Sequence, residues 1–141
     1  MENIKKMRSF LDLEVYQISY KAMLKVFSSI IPNLPKEEQY DLKEQLRGSV
    51  KAIPRLIARG YYKGYQRKRF QDCLDSAVEE SIETIMSLRQ ALDLYPTYLN
   101  AGLCNELIDT YDGINKQIEN SPFRSVGSLE EVKHVFPVGV T

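Results

Sequence analysis

Apolar residues recur every three or four positions in four stretches of this chain. Period-two alternation is almost absent, so the pattern predicts helices and no sheet. The first stretch runs from about Asp12 to Ile31. In it Leu13, Tyr16, Tyr20, Met23, Phe27 and Ile30 follow one another at steps of 3, 4, 3, 4 and 3, the spacing of a bundle seam. Ser9 or Asp12 is placed to cap its start. Pro32 and Pro35 end it, because proline cannot continue the hydrogen-bond ladder. Val15, Ile18, Ala22 and Val26 form a second apolar stripe on nearly the opposite face. A helix that is apolar on two faces is buried on two sides, so this stripe is the expected subunit contact.

The second stretch runs from about Lys36 to Arg59, with Leu42, Leu46, Val50, Ile53 and Ile57 inward. Pro54 inside it predicts a kink or local break near residues 50–54. Gly60 and Gly64 mark the following turn. The third stretch runs from about Gln66 to Leu94 along Phe70, Leu74, Ala77, Ser81, Ile85, Leu88 and Leu92, and Pro96 closes it. The fourth, from about Thr97 to Glu119, turns Leu103, Leu107, Tyr111, Ile114 and Ile118 inward. Four helices with short connections predict an all-α fold, an antiparallel up-down-up-down four-helix bundle. The bundle is expected to occupy residues 1–120. Residues 121–141 carry Pro122, Gly127, Pro137 and Gly139, the composition of an extended tail, with one possible capping box at Ser128 and Glu131.

Composition agrees with one globular domain: 141 residues, 43% hydrophobic and 27% charged. No apolar run approaches the roughly 18 residues of a membrane span. Met1–Lys6 lacks the apolar core of a signal peptide, and two cysteines, Cys73 and Cys104, make no disulfide framework. A cytoplasmic setting is the expectation.

Net charge is zero, with 19 basic and 19 acidic residues, but the charges are sorted by segment. Residues 43–69 hold 9 basic groups and 1 acidic; residues 70–112 hold 1 basic and 9 acidic. Lys43, Arg47, Lys51, Arg55, Arg59 and Lys63 form an unbroken i, i+4 series. Each step of four turns about 400°, so the row drifts by roughly 40° per step and winds across the face opposite Leu42, Leu46 and Ile53. Tyr61, Tyr62, Lys63, Tyr65, Arg67, Lys68 and Arg69 follow. Cations set among aromatics suit phosphate contact with base stacking, so these residues are the candidate nucleic-acid contacts.

The acidic segment offers a competing account. Asp72, Asp75, Glu79, Glu80 and Glu83 could face the basic helix of a neighbouring copy, as in a head-to-tail assembly. With Val15, Ile18, Ala22 and Val26 they make up the candidate oligomer interface. Alternatively, charges on adjacent helices of one chain could neutralise each other.

Enzymatic chemistry finds little support. His134 is the lone histidine and lies in the tail. Phosphate-loop, HExxH and CxxC motifs are absent. Glu79 and Glu83 share a face, but a bundle metal site would also need Glu-x-x-His pairs. No catalytic residue, metal or cofactor is expected.

Several ordered motifs resemble the bacterial four helix bundle protein family encoded within intervening sequences of large-subunit ribosomal RNA genes. The segment from Ser9 to Gln17 is similar to that family's opening. Pro35 to Leu42, followed by Gln45-Leu46-Arg47, is similar to the start of its second helix. Ile53-Pro54 with Ile57-Ala58 and Gly60 resembles its internal proline motif, and Phe70, Leu74, Ala77 and Glu83 fit its third helix. The likeness covers roughly residues 9–95 and extends more loosely to about 118. Arg55-Leu56 stands where the family usually has Ala-Asn, Arg59 where it has an acid, and Glu79-Glu80 where it has Gly-Ser. The resemblance implies a homopentameric ring of four-helix bundles. It also implies kinship with the accessory variability determinant proteins of diversity-generating retroelements, which partner a reverse transcriptase and RNA. Read together, the residues and the resemblance suggest a non-enzymatic RNA-binding oligomer, or an interaction scaffold whose two charged faces serve assembly.

Overall fold

The computed structural model describes residues 10–62 and 66–119, apart from the side chains of Asp12 and Arg67. Four α-helices make up the body: α1 Glu14–Ser29, α2 Leu42–Tyr62, α3 Arg67–Leu94 and α4 Ala101–Glu119. Short 3-10 turns at Phe10–Asp12, Ile31–Asn33 and Lys36–Glu38 supplement them, and no strand occurs among the described residues. α1 packs on α2, α2 on α3, α3 on α4, and α4 back on α1. Cross-contacts fix the directions. Ser49 of α2 meets Thr84 of α3, while Gly60, further along α2, meets Phe70 and Cys73, further back along α3. The two helices are therefore antiparallel. Ser81 of α3 bonds Tyr111 of α4, and the short connection from Leu94 to Ala101 between these two packed helices makes that pair antiparallel too.

The core follows the heptad-like spacing on three helices. Leu42, Leu46, Val50, Ile53 and Ile57 are all buried, as are Leu107, Tyr111, Ile114 and Ile118. On α3, Phe70, Leu74, Ala77, Ser81 and Leu88 are buried, while Ile85 and Leu92 pack at the margin. Small α3 residues let the helices close. Thr84 Oγ1 lies 2.8 Å from Ser49 Oγ and 2.9 Å from the Glu80 carbonyl oxygen. Ser81 donates to the Tyr111 carbonyl at 3.1 Å, so these buried hydroxyls are satisfied rather than costly.

α1 departs from the expected register. Val15 and Val26 are 0% exposed and Ala22 is 5% exposed, all within the chain's own core. They leave no surface for a neighbouring subunit, which corrects the reading of that stripe as a subunit contact. Ile18, the fourth member, is half-buried against the same core. Tyr20, expected inward, is 42% exposed. The physical reason is size. Val15, Ser19, Ala22 and Val26 are short enough for α1 to lie close to its neighbours, whereas tyrosines on that face would hold it away. Those tyrosines go to the outer edge, where a ring can lie on the protein while its hydroxyl meets water.

Other local expectations shift as well. Leu13 occupies the N-cap of α1, with no side-chain capping bond among the described residues; Ser9 and the side chain of Asp12 lie outside them. Leu13 N instead donates to the Phe10 carbonyl in a 3-10 entry turn. α2 starts later than expected, where Glu38 Oε1 accepts from Leu42 N at 3.2 Å. It then runs through Pro54 without interruption and past Gly60 to Tyr62. Gly60 is a packing residue, not a turn: a Cβ there would sit 3.4 Å from Cys73 Cβ and 3.6 Å from the Phe70 ring. α4 starts at Ala101, not near Thr97, because Asn100 Oδ1 accepts from Leu103 N at 2.9 Å and caps it. Lys63, Tyr65 and the whole tail, with His134 and Ser128, lie outside the described residues.

Candidate nucleic-acid interface

The basic row of α2 divides into two parts. Lys43 and Arg47 are half-buried, while Lys51, Arg55 and Arg59 are exposed. The last three stand one turn apart, each step advancing roughly 6 Å along the helix. They form a ridge between two grooves. On the α1 side, a groove of about 490 Å³ is lined by Tyr16, Tyr20, Met23, Pro54 and Tyr62 together with all three cations. On the α3 side, a groove of about 590 Å³ runs over Gly48, Ala52 and Ser76 to Glu80.

Among the described residues, no acid closes on the ridge in an ion pair. Among the described residues, ion pairs join Lys68 to Asp72 at 4.0 Å and Lys116 to Asp112 at 3.0 Å, each within one helix. Neither draws on α2, so among the described residues no ion pair joins a cation of α2 to an acid of α3. Glu80, on the far wall, is half-buried. Burial raises its carboxyl above the ordinary value, and Glu83 and Glu79 add like charge. Asp72, Asp75, Glu79 and Glu83 are exposed along α3. Lys68 and Arg69 are exposed at its start.

The aromatic half of the expected site changes membership. Tyr61 is only 7% exposed and belongs to the core, so its ring faces are not open to a base. This corrects its assignment as a stacking residue. α2 continues as a helix through Tyr61 and Tyr62, and two consecutive helical residues point about 100° apart. One enters the core and the other, 60% exposed, leaves it. Tyr62 joins a cluster not anticipated at this site. Phe10 lies 5.0 Å from Tyr16 and 5.6 Å from Tyr62, both edge-on, and Tyr16 lies 5.7 Å from Tyr20. Burial, with Tyr20 adding to it, raises the Tyr16 hydroxyl above its ordinary value. A signal for this cluster was present: α1 carries more apolar residues than one face can bury, and Tyr16 and Tyr20 are its bulkiest. The geometry joins α1 rings to α2 cations.

The 23S rRNA-intervening sequence protein family model matches residues 11–120. The chain belongs to that family. The match contains the α2 ridge and most of the aromatic cluster, leaving out Phe10 and the tail. No curated protein and no solved structure matches significantly. Among the described residues of this family member, no helix is long and apolar enough to cross a membrane.

Proposed function

We propose that this family member is a non-enzymatic, cytoplasmic, oligomeric helical-bundle protein that binds RNA or another nucleic acid through α2. The exposed Lys51–Arg55–Arg59 ridge, free of ion pairs among the described residues, carries the reading. Three cations one turn apart meet a polyanion at little cost, since no ion pair among the described residues must first break. Lys68 and Arg69, exposed at the head of α3, extend the positive field. The family resemblance supports a homopentameric ring and an accessory role beside a reverse transcriptase or another nucleic-acid enzyme.

Salt tests it directly. For single strands, log affinity falls with log salt by about 0.7 per phosphate neutralised. The double variant Arg55→Gln, Arg59→Gln should therefore flatten the slope by about 1.4 and weaken binding at low salt. Unchanged low-salt affinity for RNA would end this reading.

A second reading has its own observation. The α2/α3 face changes sign along its length, from Arg59, Arg55 and Lys51 to Glu44, Glu80 and Glu83, and then to Asp41 and Asp93. Such a gradient suits a scaffold in which a neighbouring copy docks with its own gradient reversed. The same double variant would then lower the light-scattering mass and leave nucleic-acid affinity unchanged.

A further inference from the structure

We infer that the groove between α1 and α2 receives an unpaired base of a single-stranded nucleic acid, with Tyr20 and Tyr62 as stacking surfaces. The inference rests on the nucleic-acid reading above and adds the class of strand and the place of the base.

Four observations carry it. The groove is lined by Tyr16 and Tyr20 of α1 on one wall and by Lys51, Arg55, Arg59 and Tyr62 of α2 on the other, so a base and its phosphates would meet complementary chemistry within one cleft. Its volume of about 490 Å³ falls in the roughly 300–1,000 Å³ range of small-ligand pockets. Phe10 and Tyr16 touch edge-on and brace the outer rings. Tyr20 and Tyr62 keep 42% and 60% of their surface open, so their rings are accessible for a base to stack on.

The same geometry selects against a duplex. Base faces in a double helix are already stacked and cannot reach a tyrosine ring in a cleft, whereas an unpaired base offers its face in any sequence. Phosphates on either side of that base would fall along the α2 ridge. Because the rings read a π-face and not a base edge, recognition is tolerant of sequence.

Fluorescence anisotropy on the full chain decides it, using a labelled oligouridine and an RNA hairpin stem of equal charge. The wild type should prefer the single strand. Tyr20→Ala should weaken oligouridine binding about tenfold, within the range for loss of one stacked base. It should leave stem affinity and the salt slope unchanged, and Tyr20→Phe should restore binding. Tyr62→Ala is the second probe, with far-UV circular dichroism confirming helix content for each. Equal wild-type affinity for strand and stem overturns the inference, as does a Tyr20→Ala variant that loses both alike or neither. A change of light-scattering mass in Tyr20→Ala also overturns it, by assigning the groove to a second copy. Loss of the underlying reading looks different: the wild type then binds neither RNA, or Arg55→Gln with Arg59→Gln changes nothing.

Discussion

A single carboxylate ties together one end of the bundle. Glu38 accepts the Leu42 amide that opens α2, and it also accepts the Tyr95 hydroxyl at the end of α3. That hydrogen bond, followed by burial and the negative charges of Glu38, Glu37 and Asp41, pushes the Tyr95 hydroxyl up from 10.0 to about 12. A raised folded value means the native state holds the proton more tightly than the unfolded chain does. The resulting stabilisation is complete below about pH 10 and is lost as pH climbs through about 12. Wild-type stability in urea should therefore fall more steeply than that of Tyr95→Phe across this window, and the two curves should run parallel near neutrality. The buried Tyr111 hydroxyl is also shifted upward by burial, so the comparison must be between variants and not between absolute curves.

At the scale of elements, α2 and α4 each carry an exposed glycine inside a helix. A Cβ at Gly48 or Gly113 would meet nothing within 4 Å. Glycine there costs backbone entropy with no steric return. Gly48→Ala should raise unfolding free energy by about 0.5–1 kcal/mol, read from the urea midpoint. Gly60 is different: an added Cβ enters contact with Cys73 and Phe70, so α2 and α3 approach closely there. Gly48 also lies in both segments of the α2/α3 groove. Pro54 is tolerated in the middle of α2 and is buried.

At the scale of the whole molecule, the sorted charge becomes a surface with direction. Cations form a ridge, and Glu80 stands half-buried on the wall across the α2/α3 groove from it. Its raised carboxyl makes the ionised form a liability in the folded state. The linkage sign follows: stability is full below the ordinary value of 4.5 and declines as pH rises through the raised folded value. Glu80→Gln should increase the urea midpoint at neutral pH, and the gain should vanish in acid. It should also tighten RNA binding, because a negative charge across the groove from Arg55 and Arg59 is gone.

Much of this was legible in the chain. The seams of α2, α3 and α4 were readable because a 3.6-residue repeat marks a buried face wherever one face alone is apolar. The exposed half of the basic row was readable because cations opposite a seam must meet water. α1 was not, since two of its faces are apolar and periodicity cannot say which one a neighbour will cover. Tyr61 and Tyr62 were not separable either, because the fate of adjacent rings depends on how far the helix runs past Gly60.

The sequence by itself determined four helices, their order, the inner faces of three of them and the segregation of charge. These depend on local periodicity, proline and the cost of burying charge. Tertiary structure decided the rest. It drew Val15, Ala22 and Val26 inward and turned Tyr20 and Tyr62 outward. It also set those rings beside Lys51, Arg55 and Arg59. Close packing between helices rewards the face whose side chains fit the available gap, and that gap exists only when the neighbouring helix is in place.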